Sequence, residues 1–329
     1  MNKFLNKVLA VDGSYMIHRA LKSPASQELV TSKGLKSGGF YLFLKMLQKE
    51  LSLAPSYYPI VCWDKGRSLR RLSLYPNYKH DADKKLSPVI PGSPDDEYIK
   101  LYLSTREDLI QFLNSVCIPS LLVPGTEGDD LIYMLKLCSE KCIVLSDDKD
   151  MIQLASENCK VRRPMNDVTI DHHSNTDYQY PQYIYHKAII GDPSDNIPQV
   201  AKGVGGASAT KIAQIITASG ATELEDIKNA LRIATECTDL YKPALIKKIQ
   251  AVIDNFKQFE INSKLMDFKY VDIPNEMQNI IESSICPIIN SRGNIFESYR
   301  YLGKYEIKHV DPGMIQAQIS PYSNRVLLG

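Results

Sequence analysis

Nothing in this 329-residue chain approaches the roughly 18 consecutive apolar residues that a bilayer-crossing helix needs, so no membrane span is expected. The N-terminal MNKFLNKVLAVD loses its apolar character at Asp12, so it reads as a first strand and not as a signal peptide. The 7 cysteines form no CxxC pairs of the zinc type, and an odd count argues against a disulfide framework. Cys62, Cys117, Cys142 and Cys159 lie in or beside apolar runs and read as small core residues in a reducing compartment. Net charge is nearly missing too: 39 Lys and Arg against 38 Asp and Glu leave +1, which says nothing about nucleic acid until its distribution is read. What remains is an ordinary globular composition, 44% apolar and 23% charged, long enough for an α/β core plus a second, smaller unit.

Against these absences, acidic residues recur at the ends of apolar runs. They are Asp12 in VLAVDGS, Asp64 in PIVCWDKG, Glu127, Asp129 and Asp130 in GTEGDDLIYML, Asp148 and Asp150 in CIVLSDDKDMIQL, and Asp192 and Asp195 in AIIGDPSDN. Open α/β sheets place their binding sites at strand ends. Carboxylates gathered at one edge repel by about 1 kcal/mol per pair even in water, and more when buried. A hard divalent cation, Mg²⁺ or Mn²⁺, removes that cost, so a carboxylate-only metal site that handles phosphate is the first expectation. Glu127 and Asp130, three apart, share a helix face while Asp129 lies further round, and all stand in a first turn where the helix dipole tolerates negative charge. Routine capping acidity would account for one such group. Two such junctions beside Asp12 and Asp64 call for more.

Positive charge is concentrated as well. Lys65, Arg67, Arg70, Arg71, Lys79, Lys84 and Lys85 face only Asp81 and Asp83 between positions 65 and 86, interleaved with Tyr75 and Tyr78. A solvated basic loop is the plain reading, but a basic and aromatic stretch directly after a carboxylate-bearing strand suits a phosphate backbone and stacked bases.

Along the chain, strand-like Val8–Val11, Ile60–Trp63, Ser120–Val123 and Cys142–Leu145 alternate with helical spacing over Gly38–Leu51, Asp95–Val116, Glu127–Cys138 and Lys149–Ala155. Ser14 is placed to cap a helix running to about Leu21. This alternation predicts a parallel sheet with right-handed crossovers. From Tyr183 the character changes. Gly203-Val204-Gly205-Gly206 is a tight turn before a helix from about Ala207 to Ser219, an arrangement that offers backbone amides to a phosphate without reading a base. It lacks the Gly-Lys-Ser/Thr ending of a nucleotide loop, and no strand precedes it. Helices are expected through much of Ala221–Lys264 and Glu276–Ser283, and an aperiodic tail from about His309.

The ordered set VDGS, WDKG, YK, EGDD, SDDKD and GDPSDN, followed by the glycine hairpin, resembles the structure-specific 5′-nucleases of the flap endonuclease superfamily. It is most similar to the stand-alone enzymes of large bacteriophages, including phage ribonuclease H, and to the 5′-nuclease domain of DNA polymerase I. The resemblance covers roughly Val8 to Ala218, with a fainter echo from Leu265 to Tyr301. It implies a central, mostly parallel sheet with flanking helices (a PIN-like core, 1–180) that includes a helical arch at about 65–95. A helix-hairpin-helix and helical subdomain would follow over 181–305, then a tail over 306–329. By resemblance Asp12, Asp64, Glu127, Asp129 and Asp148 hold the first of two metal ions, Asp150, Asp192 and Asp195 match more distant ligands, and Asp130 matches a further acidic position. Lys79 matches the active-site lysine at the arch base and Arg19 an arginine near the scissile phosphate. Tyr78 is placed to stack on a terminal base, with Arg67, Arg70, Arg71, Lys84 and Lys85 as arch contacts to DNA. Lys202, Gly203, Gly205, Gly206 and Lys211 would hold the duplex, with K⁺ at the hairpin. Ala82 stands where relatives carry an arginine, and an ammonium at Lys84 or Lys85 is not a guanidinium fork. Two metals about 4 Å apart would straddle the scissile phosphodiester and leave a 5′-phosphate and a 3′-hydroxyl.

The implied partners are DNA with a 5′ flap or 5′ end, RNA–DNA hybrid, and replication proteins such as a polymerase, clamp or single-strand-binding protein. The expected setting is a monomer in the cytoplasm of a bacterial or phage-infected cell. A PIN-type ribonuclease shares the carboxylate core but lacks arch and hairpin. Asp171-His172-His173 spells the signature of another phosphoesterase class, yet among 6 histidines it reads as chance adjacency on a polar loop. An inactive DNA-binding scaffold would gain nothing from retaining mutually repelling carboxylates.

Overall fold

The computed structural model describes residues 3–80, 91–174, 180–271 and 275–327. It divides into two compact units, one made of Met1–Gly66, Pro88–His173 and Ile273–Gly329, the other of Arg67–Ser87 and Ser174–Asp272. This differs from the expected boundaries. The basic segment after Gly66 groups with the hairpin region, and the C-terminal stretch returns to the first unit.

Among the described residues the first unit is built on a six-stranded sheet in the order β3-β2-β1-β4-β5-β6. Its strands are β1 (Leu5–Asp12), β2 (Tyr58–Cys62), β3 (Ser120–Leu121), β4 (Ser139–Leu145), β5 (Cys159–Arg163) and β6 (Val168–Ile170). All pairings are parallel except β5 with β6. β1 is buried along most of its length and β2 throughout, as apolar central strands of a parallel sheet must be. Chain order reverses between β1 and β4, the kind of switch point where open sheets leave a crevice at their carboxyl ends. Helices Gly13–Lys22, Gly38–Leu53, Pro94–Ser115 and Gly128–Cys138 fall close to the expected bounds. The antiparallel edge of β5 and β6 was not expected. Its short runs carry Lys160, Arg162 and Arg163 and lack the apolar signature. The C-terminal stretch, expected as a tail, instead holds a helix over Pro312–Val326 that packs against β1 and β2. Pro312 at its first turn and the Asp311 cap define its start, although Pro321 and Ser320 inside it blur the period.

In the second unit, helices Gln182–Ile190 and Gly206–Ser219 flank the glycine hairpin and are joined by Leu224–Glu236, Pro243–Asp254 and Phe256–Met266. Their core gathers Ile189, Val204, Ile212, Ile216, Leu231, Ile249 and Phe259. Asn262 is buried at its centre, and its amide donates to the carbonyls of Ala188 and Pro198, both at 2.8 Å. One side chain thus ties the end of the first hairpin helix to the turn that follows it. Asn262→Leu leaves two inner carbonyls without their donor and should cost about 2–3 kcal/mol. Urea unfolding measures this. A shift below about 0.5 kcal/mol would mean the carbonyls find other partners.

Candidate active site

Sheet register brings the acidic loops together. Asp12 ends β1 opposite Cys62 of β2, and Val11 pairs with Leu145 of β4, so Asp64 and Ser146 step off the same edge as Asp12. The Asp12 carboxylate caps the Gly13–Lys22 helix, accepting from Tyr15 N at 2.8 Å on Oδ1 and from Ser146 Oγ at 2.7 Å on Oδ2. Ser14, expected as the cap, instead accepts from Asp64 N at 2.8 Å. Gly13 is required by close approach, since a Cβ there would lie 2.6 Å from Val61 Cγ1 and 2.8 Å from the Trp63 ring. Asp64 Oδ1 accepts from Gly128 N at 2.5 Å, so a free amide at the start of the Gly128–Cys138 helix points at a carboxylate. A Cβ on Gly128 would stand 3.1 Å from that oxygen.

Glu127 precedes that helix as its N-cap residue and is buried together with Asp130, while Asp129 is half-exposed. Asp148 caps the 3-10 turn Lys149–Leu154 by accepting from Asp150 N at 2.8 Å, and its own N–H donates to Ser146 Oγ at 3.1 Å. Burial pushes the Asp12 carboxyl up to about 8, against the Tyr15 and Ser146 hydrogen bonds and with added push from Asp64 and Asp129. Asp64 and Asp129 therefore both act on Asp12 at the sheet edge. Among the described residues no three His, Cys, Asp or Glu side chains close into a ready-made coordinating set. The donor chemistry nonetheless fits a hard cation. The groups are carboxylates, Asp12 bears an electrostatic cost that a cation relieves, and Gly128 keeps the space beside Asp64 clear.

The other expected site residues are distributed differently. Asp192 and Asp195 belong to the second unit. Asp192 caps a short turn and pairs with Lys187 Nζ at 2.9 Å; burial raises its carboxyl, but the Ser194 and Lys187 hydrogen bonds outweigh this and hold it below the usual range. Asp195 accepts from Tyr78 OH at 3.2 Å, and its carbonyl accepts from Lys79 N at 2.8 Å. Lys79 sits at φ +55, a left-handed position held by that contact. Tyr78 is 2% exposed beneath Arg71 and Lys79, so its expected role as a base-stacking platform is corrected to a core residue of the second unit. Arg71, 4% exposed, donates from Nε to Leu265 O at 3.1 Å, and Arg70 Nη1 donates to Lys264 O at 2.7 Å. These are last-turn carbonyls of the Phe256–Met266 helix, which lack helical donors, so both arginines cap a helix end where DNA contacts were expected. Arg67 Nη1 donates to Tyr78 O at 3.3 Å. Lys84 and Lys85 lie outside the described residues.

In the hairpin, Gly203 has φ +86 and Gly205 is the N-cap residue of the Gly206–Ser219 helix. A Cβ on either would meet open space, and Lys202 and Lys211 are exposed beside them. The Ala201 carbonyl already accepts from Gln199 Nε2 at 2.6 Å. Asp171-His172-His173 is a turn after the edge strand β6, away from the parallel strand ends.

Sequence reasoning missed the polar groups that hold the carboxylates. Ser146 and Gly128 lie inside quoted motifs, yet nothing in residue type marks them as partners. Arg106, whose Nη1 donates to Asp64 O at 3.0 Å, comes from a helix remote in sequence. Arg19 was singled out, but its partner was not: Nη1 lies 3.7 Å from Asp147 Oδ2.

A family model described as the N-terminal resolvase-like domain of 5′-3′ exonucleases matches residues 7–181. A 5′-3′ exonuclease of Aquifex aeolicus is 31% identical over 212 residues, covering 61% of this chain and 67% of the relative. A thermostable DNA polymerase I of Thermus thermophilus is 27% identical over 277 residues, 82% of this chain but 29% of the polymerase. The chain thus spans about two thirds of the first relative and less than a third of the second. Among solved structures, the bacteriophage T5 D15 flap endonuclease, in a complex with DNA and metal ions, aligns with TM-score 0.59 and 21% identity over 92% of this chain and 100% of that one. T5 D15 protein co-crystallised with metal ions gives TM-score 0.58 at 21% identity over 95% and 99%. At such identity the likeness concerns the fold.

A folded carboxyl near 8 keeps a proton that the unfolded chain releases near 3.9, so Asp12 lowers stability as pH rises through the window between them. In EDTA, wild-type melting temperature should fall from pH 5 to pH 8, and Asp12→Asn should flatten that fall. Parallel profiles for the two proteins would show that Asp12 is not the source.

Proposed function

The chain belongs to the 5′-3′ exonuclease family, a family of nucleases, and from that membership we propose a divalent-metal-dependent, structure-specific 5′-nuclease. It hydrolyses phosphodiesters at 5′ ends and 5′ flaps of DNA, and RNA primers paired to DNA. The observation that supports this reading is the sheet edge at the switch point, where Asp12 ends β1, Asp64 and Asp148 follow the neighbouring strands β2 and β4, and Glu127 and Asp129 stand at the start of the Gly128–Cys138 helix, with Asp12 held against its own charge. Those residues, with Asp130 and Asp150 beside them, would hold Mg²⁺ or Mn²⁺, whose Lewis acidity offsets charge on the phosphate. Ser146, Gly128 and Tyr15 orient the carboxylates through the hydrogen bonds described above, so their oxygens are fixed before substrate arrives. Arg19 would meet a substrate phosphate beside the carboxylates of the first unit, and Lys79, in the second unit, would contact the nucleic-acid backbone. The hairpin binds the duplex backbone through helix N-terminal amides, Lys202 and Lys211.

Asp64→Ala or Asp148→Ala should reduce cleavage of a 5′-labelled flap by at least about 10³-fold while duplex affinity changes less than about threefold. The comparison is single-turnover cleavage in Mg²⁺ and in EDTA. EDTA-resistant cutting, or near-normal turnover by either variant, would sink the metal assignment. Binding without any cleavage by wild type would instead favour a DNA-binding scaffold.

The two hairpin glycines separate strain from recognition. Gly203→Ala forces a side chain into a left-handed position and should cost about 1–2 kcal/mol. Gly205→Ala meets no atom in the protein, so melting should hardly move while duplex affinity drops for every base sequence. Unchanged affinity in Gly205→Ala would show that DNA does not approach this turn.

A further inference from the structure

One buried carboxylate at the sheet edge has no part in the metal-binding set. Asp147, its side chain 5% exposed, sits between Ser146 and the capping residue Asp148 but turns to a different set of partners. Tyr15 OH donates to its Oδ2 at 2.7 Å. Met165 N, in the turn that joins β5 to β6, donates to Oδ1 and Oδ2 at 3.1 and 3.0 Å. Arg163 Nη2 fixes the Asp147 carbonyl at 2.9 Å. Held from both sides, the carboxylate presents Oδ2 to Arg19 Nη1 at 3.7 Å. Tyr15 and Arg19 are four residues apart on the Gly13–Lys22 helix, so both reach Asp147 from one face.

We infer that Asp147 is a positioning residue for Arg19, holding its guanidinium at the carboxyl edge of the sheet for the substrate phosphate. This rests on the reading of Arg19 as a phosphate contact. A guanidinium has five N–H donors, and the Arg19 side chain stays 36% exposed, so one nitrogen can face Asp147 while others meet a phosphate. Without the carboxylate, the long side chain must be ordered by the substrate itself, and that entropy is lost in the reacting complex. Asparagine at position 147 can keep hydrogen bonds to Tyr15 and Met165 but not the charge.

The test is a double-mutant cycle on a 5′-flap duplex, reading single-turnover rate, equilibrium affinity, melting temperature and Mg²⁺ dependence. Asp147→Asn should slow cleavage about tenfold with affinity and half-saturating Mg²⁺ within about twofold of wild type. In an Arg19→Ala background the same substitution should have no further effect, because the group it positions is gone. Tyr15→Phe should show a smaller loss with the same dependence on Arg19, and it carries the test should Asp147→Asn fold poorly. A wild-type rate in Asp147→Asn, an equal loss in both backgrounds, or a shifted Mg²⁺ requirement would each overturn the inference. If Arg19→Ala itself cleaves normally, the reading of Arg19 fails and the inference falls with it.

Discussion

The structure depends on holding like charges side by side. A parallel sheet delivers one loop from each strand to the same edge, and here β1, β2 and β4 deliver Asp12, Asp64 and Asp148, with Glu127 and Asp129 at a helix start beside them. Repulsion alone would scatter these loops. Three of the five are tied to hydrogen-bond donors that hold them in place: Asp12 to Tyr15 N and Ser146 Oγ, Asp64 to Gly128 N, and Asp148 to Asp150 N. Backbone amides at element starts are the commonest of these donors, and they have no competing helical partner. The same geometry that begins each helix therefore stabilises the acidic edge.

The second unit meets a different constraint. Its hairpin turn and the short helix Leu69–Leu74 of the basic segment are both tied to the Phe256–Met266 helix by side-chain hydrogen bonds. Asn262 does this for the hairpin, and the pairing of Arg70 and Arg71 with carbonyls 264 and 265 does it for the basic segment. A cationic side chain is well suited to a helix C-terminus, where unpaired carbonyls carry partial negative charge.

Much of this could be read in the sequence. Apolar runs that end in Asp marked the parallel strands and the edge where they meet; Glu127 and Asp130 are both buried, although Glu127 precedes the helix as an extended cap residue. What was not legible has a common cause. Arg71 and Tyr78 are residue types that suit nucleic acid, and only tertiary contact shows that they are buried within their own unit. Ser14 looks like a cap by position, but Asp12 occupies that role because the helix begins directly at the strand end. β5 and β6 carry too many charges for an apolar pattern, and the Pro312–Val326 helix is interrupted by a second proline. Asp147 stands beside Asp148 in one motif, and residue type alone does not separate their roles.

Neither unit is continuous in the chain, and this bears on the order in which the protein can fold. The basic segment leaves the ribosome long before the carbonyls that Arg70 and Arg71 require, since those belong to residues 264 and 265. β1 and β2 are made long before the Pro312–Val326 helix that packs against them. Synthesis from the N-terminus therefore leaves part of the strand surface and both arginines without these partners until residues 264–326 have been made. The matched family region, residues 7–181, therefore coincides with neither compact unit.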